Sequence, residues 1–90
     1  MSHRESQEEL AQKIAKAATA VEVGAIYEHY KHLKYTVVAV ALQEETGEPC
    51  VIYQAEYGEH LIWSRPLSSW QKQIDVDGKK VQRFTRITEK

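Results

Sequence analysis

Apolar residues recur at helical spacing in only one part of the chain. In SQEELAQKIAKAATAV, Leu10, Ile14, Ala17, Ala18 and Val21 fall on one side of a 3.6-residue repeat, and Ser6 followed by Glu9 matches a capping box. The pattern predicts an amphipathic helix whose stripe is mostly alanine. Propensity alone barely sustains an isolated helix of that length in water, so the segment needs a surface to pack against.

After Val23 the period changes. Residues 25–31 and 35–42 are rich in Tyr, Val and Thr and are joined by the short connection KHLK, which predicts an antiparallel hairpin. Tyr35 to Leu42 is nearly continuous in apolar character, as expected of a strand buried on both faces, with the alanine-rich helix covering the outer one. Glu44 to Pro49 reads as a turn, followed by a strand at 50–55, a loop at 56–60, and a strand at 61–66 that Pro66 ends. SSWQ reads as one helical turn, and Asp77-Gly78 as a type I′ turn between IDV and KKVQRF. Four or five short strands of this kind close into a small antiparallel barrel or roll, because closure removes exposed edges. The expected organisation is an N-terminal helix over 1–22 and a mainly β domain over 23–90.

Length and charge narrow the picture. The chain has 90 residues, room for one marginal core, and 12 Lys and Arg against 13 Asp and Glu. That balance lacks the basic field of a generic nucleic-acid coat and argues against such binding. The charges are unevenly spread: residues 22–71 carry Lys31, Lys34 and Arg65 against seven acids, whereas 72–90 carry six bases against three acids. Cys50 is the single cysteine, which rules out an intramolecular disulfide and suits a reducing cytoplasm. No apolar run approaches the roughly 18 residues of a membrane span, and MSHRESQEEL has no signal-peptide core, so neither membrane insertion nor secretion is expected.

Several segments together resemble the bacterial domain-of-unknown-function family DUF1653. They are GAIYEHYK at 24–31, YTVVAV at 35–40, Glu45-Thr46, VIYQA at 51–55, Tyr57-Gly58, WSRPL at 63–67, VDGK at 76–79 and Arg83-Phe84. The resemblance implies an SH3-like barrel or roll and carries no assigned activity. It departs from the family at three positions, where the family tends to have glycine at His32, Pro at Gln82 and Phe at Trp70.

The candidate chemistry is spread along the β region. His29 and His32 form HxxH with Glu28 adjacent and His60 later, but residues three apart on a strand point to opposite faces, so no metal site is assigned. Cys50 begins an apolar strand with neither a helix N-terminus nor a cation beside it, and reads as a buried hydrophobe. Ser68 and Ser69 read as caps of the short helical turn, since no glycine-framed elbow surrounds them. No catalytic residue or cofactor is assigned. His29, Lys31, Tyr57, Trp63 and Arg65 combine aromatic faces, hydrogen-bond donors and a planar cation, which suit an anionic small molecule, a nucleotide or a peptide. The function read from these residues is a binding or interaction module with a small-molecule or protein ligand. Two alternatives stand beside it: a small hydrolase using His29, and a structural homo-oligomer associating through the helix. Against the binding reading stands a purely structural one, in which Tyr53, Trp63, Trp70 and Phe84 fill the core and Arg65 pairs with Glu56 or Glu59.

Overall fold

The computed structural model describes residues 5–87. Helix α1 spans Gln7–Ala20, and its capping box is reciprocal: Glu9 N–H donates to the Ser6 hydroxyl, and Ser6 N–H donates to the Glu9 carboxylate, each at 3.1 Å. Such a cap stabilises a helix by about 1 kcal/mol. The helix buries Leu10 and Ala17, packs against the second and third strands, and ends at Val21, which is 1% exposed. Its exit is fixed where Glu22 N–H donates to the Tyr27 hydroxyl at 3.0 Å.

The strands are β1 (Ile26–His29), β2 (Lys34–Leu42), β3 (Pro49–Ala55), β4 (Ile62–Pro66), β5 (Gln73–Val76), β6 (Lys79–Gln82) and β7 (Phe84–Ile87), with the one-turn helix α2 (Leu67–Trp70) between β4 and β5. All pairings are antiparallel. Five strands form one sheet in the order β4-β3-β2-β1-β7, while β5 and β6 form a separate ribbon. The mainly β class with one N-terminal helix is therefore as expected, but the sheet is open: among the described residues no ladder joins β4 to β7.

Pairing and the two-residue period decide which face is the core. Tyr27 stands opposite Tyr35, Val37 opposite Tyr53, His29 opposite Phe84, and Val51 opposite Arg65, so these residues share the inner face. Val21, Tyr27, Tyr35, Val37, Val51, Tyr53, Ala55, Trp70 and Phe84 make the hydrophobic core. The expectation that 35–42 is buried on both faces fails at Val38, which is 43% exposed. The register slips between Val37 and Ala39, and such a bulge leaves one residue unpaired and re-aims those after it. The helix contributes Val21 to the inner core and leaves the outer face open at Val38.

Two further boundaries differ from the sequence pattern. β1 stops at His29, because His32 N–H donates to the His29 carbonyl at 2.6 Å and closes a turn, so Lys31 lies off the strand. KKVQRF is two strands, not one: Arg83 donates its N–H to Lys72 and accepts from Tyr30 N–H, and Phe84 then starts β7 beside β1. The Asp77-Gly78 turn is as expected, with φ of +52° and +80°. Glu89 and Lys90, counted in the basic C-terminal run, lie outside the described residues.

His32 has φ of +72°, a region that costs a side-chain-bearing residue roughly 1–2 kcal/mol and glycine nothing. Its ring reaches only an exposed contact with Glu28, worth little. Partly offset by glycine's greater unfolded-state entropy, His32→Gly should raise unfolding stability in urea by roughly 0.5–1 kcal/mol. A loss of stability would show that the turn is unstrained.

Candidate functional site

The inner face ends in a group of polar tips around Phe84. Phe84 begins β7 directly opposite His29, whose ring meets it edge-on at 5.0 Å. Lys31 N–H donates to His29 Nδ1 at 3.2 Å, so the neutral imidazole carries its proton on Nε2. Burial lowers the His29 pKa from its ordinary 6.5, and the positive charges of Arg65, Arg83 and Lys31 lower it further. His29 is thus a neutral donor near neutral pH.

Arg65 is carried across the sheet by β4. Its Nε donates to the Tyr53 hydroxyl at 3.2 Å, its Nη1 donates to the Ser69 hydroxyl at 2.9 Å, and its guanidinium lies 5.7 Å from the Phe84 ring centre. Both hydrogen-bond partners are neutral. The ion pairs among the described residues are Lys13 with Glu5, His32 with Glu28, Lys80 with Asp75 and Arg86 with Glu22, so neither Glu56 nor Glu59 pairs with Arg65. Glu56 instead accepts from the Thr36 hydroxyl. Nearby in sequence to Phe84, the Arg83 Nε is buried with no hydrogen-bond partner among the described residues.

Tyr35 and Tyr57 share a hydrogen bond of 2.6 Å between their hydroxyls. Burial and that bond push the Tyr35 pKa up to about 12, against a smaller lowering by Arg65. Tyr57 is 41% exposed, so the pair runs from the core to the surface. Trp63 stands opposite Tyr53 on the same face and is 50% exposed at the rim.

His29, Tyr57 and Arg65, singled out in the sequence, are therefore linked through Tyr35, Tyr53 and Phe84, with Trp63 beside them. Lys31 is not part of the group: its ammonium lies 5.9 Å over the Tyr30 ring in the turn, although its charge still acts on His29. Ser69 does not cap α2, whose N-cap is Pro66 with no side-chain bond, and instead orients Arg65. The HxxH histidines diverge, His29 to Phe84 and His32 to Glu28, while His60 Nδ1 sits 3.0 Å from the Ala55 carbonyl. Cys50 is buried, with its Sγ 3.9 Å from the Glu48 carbonyl. A cavity of about 440 Å³ also borders Trp70 and Phe84, lined further by Tyr27, Gln71, Gln82 and Arg86, but by none of His29, Tyr57, Trp63 or Arg65.

The sequence model of a family described as proteins of unknown function, DUF1653, matches residues 25–86. The chain belongs to the DUF1653 family. A crystal structure of a DUF1653 protein from Bordetella bronchiseptica is similar at a TM-score of 0.63 and 26% identity, over 74% of this chain and 92% of that one. Comparison with curated proteins gives no match. The matched DUF1653 region contains every residue of the Phe84 group and excludes helix α1.

Two titrations follow from this group of residues. His29 followed by NMR should titrate below 6.5, and Arg65→Ala should move it upward by removing a positive charge; an unmoved value would mean that Arg65 is screened from the ring. Because the folded-state pKa is depressed, the contribution of His29 to stability is present above 6.5 and is lost as pH falls. Tyr35 has the opposite sign. Its contribution is present below its ordinary value of 10.0 and is lost as pH rises towards about 12, so Tyr35→Phe should flatten the alkaline limb of a stability–pH curve.

Proposed function

We propose that this domain is a binding module that recognises an anionic group at Arg65. The observation that carries the reading is the pairing of Arg65 with two hydroxyls and, among the described residues, with no carboxylate. Neutral partners fix the guanidinium fork without cancelling its charge, and two of its five N–H groups are used, which leaves donors for a carboxylate or phosphate. His29 adds a neutral N–H donor, while half-exposed Tyr57 and Trp63 supply an aromatic rim for the organic part of the ligand. A curled sheet presenting aromatic side chains from its loops is also how small SH3-like rolls take ligands. The lone reduced cysteine suits a cytoplasmic setting for this module.

The same geometry disfavours His29 as a general base. Its Nδ1 is held by a backbone N–H, and three cations weaken its basicity. A heat-shift screen with inorganic phosphate, dicarboxylates, nucleotides and peptides tests the binding reading. A ligand at a hundredfold excess over its dissociation constant stabilises the fold by about 2.7 kcal/mol. Arg65→Ala should cost roughly 1–2 kcal/mol of stability, because it leaves two hydroxyls without a donor, and should remove the ligand-induced shift. An anion that stabilises Arg65→Ala as much as the parent would overturn the proposal.

A further inference from the structure

We propose that the ligand is an acidic peptide in extended form, added to the sheet along β4; the inference rests on Arg65 as an anion site. β4 is an end strand of the sheet, and its main packing neighbours among the described elements are β3 and α2. Which of its backbone groups are free follows from one bond. Ala55 N–H donates to the Leu61 carbonyl at 2.9 Å, and the same register sets Tyr53 opposite Trp63 and Val51 opposite Arg65. Antiparallel strands alternate between residues bonded to the partner and residues facing away, so Trp63 and Arg65 bond to β3 while Ile62 and Ser64 turn their N–H and C=O groups to the open edge. Pro66 has no N–H and ends that edge.

Edges of this kind are usually guarded by charge, yet Leu61, Ile62 and Trp63 are consecutive and each at least half exposed. An antiparallel peptide would exchange four backbone bonds with Ile62 and Ser64. Its residue opposite Arg65 and the one two positions later, opposite Trp63, would project on the inner face. The unneutralised Arg65, with Arg83 and Lys31 acting on the same region, selects an acidic side chain at the first position. Trp63 selects an aromatic or aliphatic one at the second. A second copy of the chain is the weaker occupant: it would bring the same basic groups to the seam, and a three-residue edge buries far less than the roughly 1,200–2,000 Å² of a stable interface.

The probe is a blocked heptapeptide, Thr-Val-Glu-Thr-Tyr-Val-Thr, titrated by fluorescence anisotropy with inorganic phosphate as a separate small-anion probe. Replacing the peptide glutamate by glutamine should weaken binding about tenfold. N-methylation of the following threonine, whose N–H faces Ser64, should do the same, while N-methylation of the tyrosine, whose N–H faces away, should leave binding unchanged. Equal effects of the two methylations, or no binding at about 1 mM peptide, would overturn strand addition. If phosphate still stabilises the protein through Arg65 in that case, the anion site stands and only the peptide assignment falls; if Arg65→Ala changes neither probe, both fall. Ser64→Pro removes an edge donor at a position where proline is tolerated and should abolish peptide binding but not phosphate binding. Concentration-dependent dimerisation in sedimentation that Ser64→Pro abolishes, without peptide binding, would assign the edge to self-association and overturn the proposal.

Discussion

Phe84 lies flat on Trp70, with ring centres 3.7 Å apart and planes 5° from parallel, and this contact joins the two ends of an open sheet. Trp70 belongs to the helical turn that follows β4, and Phe84 begins β7, so they belong to opposite ends of the order β4-β3-β2-β1-β7. A closed barrel would join those ends by backbone hydrogen bonds. Here the connection is made by side chains, with Tyr53 edge-on to both rings and Tyr27 edge-on to Trp70. Losing a buried Trp or Phe side chain costs about 3–5 kcal/mol, a large share of the roughly 5–13 kcal/mol expected of a domain this size.

The same stack explains why charge collects where it does. Curling the sheet onto Phe84 brings Arg65 from one end and His29 from the other to the same ring. Phe84 is their shared contact and the hydrogen-bond partners of Arg65 are hydroxyls, so the cationic charge is left uncompensated by carboxylates among the described residues. A depressed His29 and an elevated Tyr35 both express that setting: burial dominates each shift, and each keeps its group in the neutral form. On the binding reading proposed above, polar groups held neutral beside this guanidinium would serve recognition of an anion and not proton transfer. The open edge at β4 is the other consequence of closing the sheet by side chains, since among the described residues the backbone of Ile62 and Ser64 has no partner strand.

The sequence by itself determined the features that are settled within a few residues. The Ser6–Glu9 capping box, the end of β4 at Pro66 and the Asp77-Gly78 turn all appear where the local pattern puts them, because a cap or a tight turn is satisfied by groups no more than about four residues apart. The mainly β class and the inward placement of Tyr53, Trp70 and Phe84 were legible for a related reason, as alternation and aromatic content report burial. Tertiary structure alone decided the bulge at Val38, the split of KKVQRF at Arg83, the placing of Arg65 against Tyr53 and Phe84, and the bond between Tyr35 and Tyr57. Each depends on a partner supplied by another segment: Tyr53 for Arg65, Tyr57 for Tyr35, Tyr30 and Lys72 for Arg83. Strand order and curl bring those partners together, and no residue's own neighbours in sequence encode them.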